Sequence, residues 1–132
     1  MARPYYILVV EDEKRWREGI FRETLEDAGY HVKTSNSYSE AVAALGQQAF
    51  DLVVIDVNLT GISGNRDGVR VLERMASLGY KPPTIVVSGS KTWDMSEESV
   101  KKFQPIAFID KTAFDVAEFI ALVNDALASL KD

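Results

Sequence analysis

Apolar residues gather in five short runs: YYILVV (5–10), YHVKT (30–34), FDLVVI (50–55), PTIVVS (83–88) and IAFI (106–109). Three of them are continuous rather than alternating, the pattern of strands covered on both faces inside a parallel sheet. Between the runs the apolar spacing changes to intervals of three and four. Trp16, Ile20, Phe21, Leu25 and Ala28 predict a helix over about 13–28 that stops at Gly29, a residue suited to a left-handed C-terminal cap. A second helix, about 38–47, opens behind Ser37, which stands at capping-box distance from Glu40. A third, about 68–78, starts behind Asp67 and ends before Gly79. A fourth, about 93–103, is polar, weakly patterned and closed by Pro105. The last is the clearest: Thr112 and Asp115 have capping-box spacing, and Val116, Phe119, Ile120, Val123, Leu127 and Leu130 form one apolar stripe. Strand–helix alternation of this kind predicts a doubly wound α/β fold, a parallel sheet between two helical layers.

Composition narrows the functional classes. At 132 residues the chain fits a single domain, with its core over about 5–130. No cysteine is present, which excludes disulfides and thiolate zinc sites, and the lone His31 offers no cluster for a transition metal. A net charge of −5 without a basic stretch argues against nucleic-acid binding. No apolar run is long enough to span a membrane, and the start MARPYYILVVEDEK is too short in its apolar part and too acidic behind it for a secretory signal. The default expectation is a cytoplasmic protein.

The candidate chemistry lies where the strands end. In a parallel sheet all strand C-termini share one edge, and open α/β folds bind ligands there. Glu11 and Asp12 follow the first run, Asp56 ends the third, Ser88 and Gly89 close the fourth, and Asp110 and Lys111 follow the fifth. The second run contributes nothing comparable. Each residue alone has a plain structural reading: acids at a helix start, a turn serine, a solvated lysine paired weakly with Asp110. Their joint placement does not. Three clustered carboxylates repel one another unless a cation sits among them, and Mg²⁺ suits a few carboxylate oxygens, a carbonyl and retained waters. The residues thus describe a Mg²⁺ site with one carboxylate free to act as nucleophile on a phosphoryl group, with Lys111 and Ser88 meeting its charge and Gly89 leaving room for it.

Taken together, ILVVEDE, DLVVIDVNL, IVVSGS and AFIDK resemble the receiver domain of two-component response regulators, over nearly the whole chain. The resemblance implies a flavodoxin-like sheet of order 2-1-3-4-5 and a signalling phosphoacceptor rather than an enzyme acting on other substrates. It implies Asp56 as phosphoacceptor, supplied by a histidine kinase or histidine phosphotransfer protein. Glu11, Asp12, Asp56 and the backbone carbonyl of Asn58 would hold Mg²⁺ (or Mn²⁺), Lys111 would contact the phosphoryl group, and Ser88 and Phe108 would be the switch residues. Its output would be a downstream protein target, or a fused effector domain lying outside this chain.

Departures from the family pattern are Thr60 and Thr112 where proline is usual, Glu11 for an aspartate, and an apparent four-residue insertion between Gly61 and Gly68. A cis peptide before Thr112 would cost several kcal/mol, so a trans bond is expected, with Thr112 capping the last helix. Glu11's extra methylene favours a water-bridged contact with the metal. Two rival functions remain: a receiver-like interaction module that is never phosphorylated, and a haloacid-dehalogenase-like phosphatase. The latter is suggested by DVNLT but spoiled by Asn58, an amide where that chemistry needs an acid.

Overall fold

A computed structural model of the chain describes residues 4–56, 67–79, 81–89 and 101–129. Its five strands, β1 (Tyr6–Val10), β2 (His31–Ser35), β3 (Leu52–Asp56), β4 (Thr84–Ser88) and β5 (Ala107–Asp110), form one sheet in the order β2-β1-β3-β4-β5. All four pairings are parallel. The three continuous apolar runs supply the three inner strands, and nearly every one of their residues is buried. The outer strands β2 and β5 alternate between half-buried and exposed positions, as edges with one wet face must.

Successive side chains on a strand point to opposite faces, so each inner strand feeds two cores. Leu8, Val10, Val53, Ile55 and Val86 pack against α2 (Tyr38–Gln47) and α3 (Asp67–Ser77) through Ala41, Ala44, Leu72 and Met75. Ile7, Val9, Val54, Ile85 and Val87 meet the opening helix through Phe21 and Leu25, and the last helix, α4 (Val116–Ala128), through Phe119, Val123 and Leu127. The predicted doubly wound sandwich and its strand order are therefore present. Among the described residues no helix is long and apolar enough to cross a membrane.

Two local expectations change. The opening helix, α1, is π-helical over Arg15–Arg22 and α-helical only over Glu23–Asp27. The Glu23 N–H donates to Glu18 O, five residues back. The reason lies in the rings: Trp16 and Phe21 pack against each other, tilted by 39°, with centroids 5.6 Å apart. Residues five apart on an α-helix point about 140° from each other, whereas an i→i+5 turn brings them onto one face. Gly29 then ends the helix with φ 95°, as expected.

The second change is the cap of α4. Asp115, extended at φ −129°, accepts the Glu118 N–H at 3.0 Å and is the N-cap; Thr112 is not. Thr112 is held in a 3-10 turn (Lys111–Ala113) by Asp110, whose Oδ1 accepts both its N–H at 2.9 Å and its hydroxyl at 2.7 Å. Asp110 therefore serves that turn rather than Lys111. The Lys111–Thr112 peptide is trans, as expected. Replacing Asp115 by Ala should lower stability by about 1 kcal/mol in urea titration, and Thr112→Ala by about half that or less.

The predicted fourth helix (about 93–103) lies almost wholly outside the described residues, as do Asn58, Thr60, most of the Gly61–Gly68 segment and Leu130.

Candidate functional site

Strand register builds the site. Val10 of β1 pairs with Ile55 of β3, so the next residues, Glu11 and Asp56, leave the sheet side by side. Asp56 pairs with Val87, and Ser88 with Asp110, which puts Ser88 and Lys111 one step further along the same rim. Glu11, Asp56, Ser88 and Lys111 are all buried, an expensive arrangement for charged groups unless they compensate each other. Asp12 is half-buried beside them.

Lys111 is the hub. Its Nζ lies 2.9 Å from Asp56 Oδ2, 2.6 Å from Glu11 Oε1 and 3.6 Å from Glu13 Oε1. The Asp56 contact is a hydrogen bond. The Glu11 contact is an ion pair by distance but lacks hydrogen-bond angles, so Glu11 Oε1 has no hydrogen bond despite the close ammonium. Glu11 Oε2 accepts the Glu13 N–H at 3.1 Å. Gly89 makes room for the lysine stem: a Cβ there would come 3.3 Å from Lys111 Cδ. The space expected at Gly89 for a phosphoryl group is thus bordered by the side chain that would meet that group.

Three carboxylates face one another. One oxygen each of Glu11, Asp12 and Asp56 can be chosen so that all lie within 4.8 Å. Burial, reinforced by repulsion from Asp56 and only partly offset by Lys111, pushes the Glu11 carboxyl from 4.5 up to about 8. Burial and the Asp56 charge also raise Asp12. Burial by itself lowers Lys111, but Asp56 and Glu11 outweigh it and hold the ammonium above its usual value. Asp12 Oδ1 is buried without a hydrogen-bond partner. An orphaned carboxylate oxygen beside two further acids is the donor set of a hard divalent cation, so the residues fit Mg²⁺ or Mn²⁺. Whether the Asn58 carbonyl joins them lies outside the described residues.

Several features were not foreseen from sequence. The second strand does reach the rim: it ends on Ser35, buried, with an unpartnered Oγ, and its carbonyl accepts the Glu11 N–H at 2.9 Å. Arg17 folds back so that Nη1 donates to Glu11 O at 3.2 Å and Asp12 O at 3.0 Å, fixing the acidic turn. The Lys111 ammonium also stands 5.0 Å from the centre of the Trp16 ring. Only a basic residue shortly after the acidic pair hinted at the second of these, and nothing hinted at the others. Phe108 sits on edge strand β5, 37% exposed. It borders a groove of about 530 Å³ lined also by Phe114, Phe119, Leu122 and the acids Asp110, Asp115, Glu118 and Asp125.

Comparison with known proteins agrees with this geometry. The family model described as the response regulator receiver domain matches residues 7–124. The sensor histidine kinase RcsC of Salmonella typhimurium is 34% identical over 84 residues, 64% of this chain but 8% of the kinase. The chain thus corresponds to a small part of that relative's length. A CheY-like receiver domain from Methanospirillum hungatei superposes with a TM-score of 0.83 at 20% identity, covering 96% of each chain. The response regulator TrrA of Thermotoga maritima, solved in complex with Mg²⁺ and a beryllium fluoride, is 26% identical, with a TM-score of 0.76 over 93% of this chain and 99% of that one.

Proposed function

The chain belongs to the response regulator receiver domain family, and from that premise we propose that Asp56 accepts a phosphoryl group from a phosphohistidine donor and that this modification switches a protein-binding surface. The observation that carries the reading is the Asp56 carboxylate ending an apolar strand, held at 2.9 Å by a buried lysine beside two further acids.

An Asp56 oxygen attacks phosphorus in line, the bond from phosphorus to the donor imidazole nitrogen breaks, and the electron pair leaves with that nitrogen. Lys111 is already at the nucleophile and pairs with the oxygens that gather charge as the transfer proceeds. Ser88 stands at the same rim to donate a hydrogen bond to them. Glu11, Asp12 and Asp56 would hold a divalent cation, which when bound neutralises the phosphoryl oxygens. Arg17 keeps the Glu11–Asp12 turn in place by its two carbonyl bonds.

The product carries roughly one and a half to two extra negative charges and several acceptor oxygens. Lys111 and Ser88 are drawn toward it, and Phe108, partly exposed on edge strand β5, changes its burial in response. The groove beside it, with four carboxylates and an aromatic floor, suits a basic partner segment with an apolar face. Activity of this kind is self-directed: the chain catalyses its own acylphosphate formation and its hydrolysis.

Incubation with acetyl phosphate and Mg²⁺ should add about 80 Da by intact mass, the mass of one phosphoryl group. The gain should vanish in Asp56→Asn. If neither acetyl phosphate nor a phosphorylated histidine phosphotransfer protein labels the wild-type chain, the domain is a passive interaction module.

A further inference from the structure

We propose that Trp16 is a positioning residue for phosphoryl transfer, its indole face seating the Lys111 ammonium beside Asp56. The inference rests on the roles given above to Asp56 and Lys111 and adds to them a residue from the opening helix.

A lysine side chain turns about four bonds, and the ammonium at its end is held here by acids on one side. Those acids are the groups whose charge changes during the reaction: Asp56 becomes an acyl phosphate, while Glu11 and Asp12 would bind the cation. The indole face attracts a cation through its quadrupole, whatever the acids are bonded to. Nζ lies 5.0 Å from the ring centre, inside the range of that attraction. The Arg15 guanidinium is a rival at 5.9 Å. Lys111 is the nearer of the two and is buried, where such an attraction is strongest.

The ring is itself fixed. Phe114 meets it edge-on at 5.3 Å and 86°, and Phe21 packs against it, tilted by 39°, at 5.6 Å. Both rest on Phe119, each at 5.4 Å. The i→i+5 turn of the opening helix puts Trp16 and Phe21 on one face, which is what anchors the indole under the lysine. On another side Gly89 leaves just the width of the Lys111 stem. The ammonium therefore has a rigid seat that survives loss of its acidic partners, so the phosphoryl group meets a cation already in place.

Trp16→Leu removes the π face while keeping an apolar side chain, and Trp16→Phe retains a π face in a smaller ring. The initial rate of labelling by acetyl phosphate should fall about tenfold in Trp16→Leu and stay within about threefold of wild type in Trp16→Phe. Equal losses in the two variants, or rates that follow their melting temperatures, overturn the proposal and leave Trp16 as core filling. A second measurement needs no donor. In a Trp93→Phe background, which leaves Trp16 as the sole indole, Lys111→Met should shift or intensify the emission. An unchanged spectrum overturns the seat. A wild-type chain that no donor labels refutes the phosphoacceptor reading, and the emission measurement still decides the contact.

Discussion

Glu11→Gln should make the metal-free protein more stable and at the same time cost it most of its affinity for divalent cations. The opposite signs come from one cause. Glu11 is 0% exposed, and its carboxyl is pushed from 4.5 up to about 8 by burial first and by Asp56 second. Between those two values the folded state keeps a proton that the unfolded chain has released. Folding stability of the metal-free wild type must therefore fall as pH rises from about 4.5 towards 8, by up to about 1.4 kcal/mol per unit. Above that window the loss is complete and the slope vanishes. Gln carries no such titration, so at pH 8 the variant should be more stable by about 2–4 kcal/mol, and near pH 4 almost indistinguishable from wild type. A divalent cation reverses the ranking, because it takes the place of the missing compensation: the wild type should gain stability with added Mg²⁺, increasingly so as pH rises, and the variant little. Urea titrations at pH 4, 6 and 8, each with and without Mg²⁺, test both signs. A wild-type profile that is flat over this range would contradict the account of the site.

Lys111→Met should have the larger effect on the resting protein. The ammonium compensates two buried carboxylates, and removing one partner of such a set commonly costs about 3–5 kcal/mol. The raised value of Lys111 gives the pH sense: its contribution is complete below the ordinary lysine value of 10.5 and disappears only as pH climbs past the still higher folded one. The loss on mutation should grow as pH rises through about 8, where Glu11 loses its proton, and shrink in acid as that carboxyl becomes neutral. Pairing the mutation with Glu11→Gln should recover part of the stability, a coupling measurable by a double-mutant cycle. Phosphoryl labelling should fall about a hundredfold in the single variant and stay low in the double one, because a relieved core does not replace the missing cation. Full recovery of labelling in the double variant would remove Lys111 from the chemistry.

Much of this site was legible before any coordinates. Asp56 breaking an apolar run, and acids and a lysine directly after the other inner and edge strands, required only strand parity and the rule that parallel strands end together. The register then delivered Glu11 beside Asp56 and Ser88 beside Asp110. What could not be read was the geometry between distant segments. Trp16 and Lys111 are separated by most of the chain, and an aromatic in a helical stripe signals a core before it signals a cation seat. The wide turn of the opening helix leaves no mark in a pattern that fits a regular helix equally well. The cap of the last helix was ambiguous for a plainer reason: Thr112 with Asp115, and Asp115 with Glu118, both have capping spacing. Asp110 decided between them by tying Thr112 into the preceding turn. At Ser37 no such competitor exists, and its Oγ accepts the Glu40 N–H at 3.2 Å as the motif requires, while Glu40 reaches back one residue further than usual to the Asn36 N–H.

The widened turn over Arg15–Arg22 also bears on how this segment can change length over evolutionary time. A helix that carries about one residue more per turn stores that residue as girth. Losing a single amino acid between Trp16 and Phe21 would let the coil tighten to ordinary dimensions with both rings still side by side, and neither the strand before it nor the strand after it would need to shift.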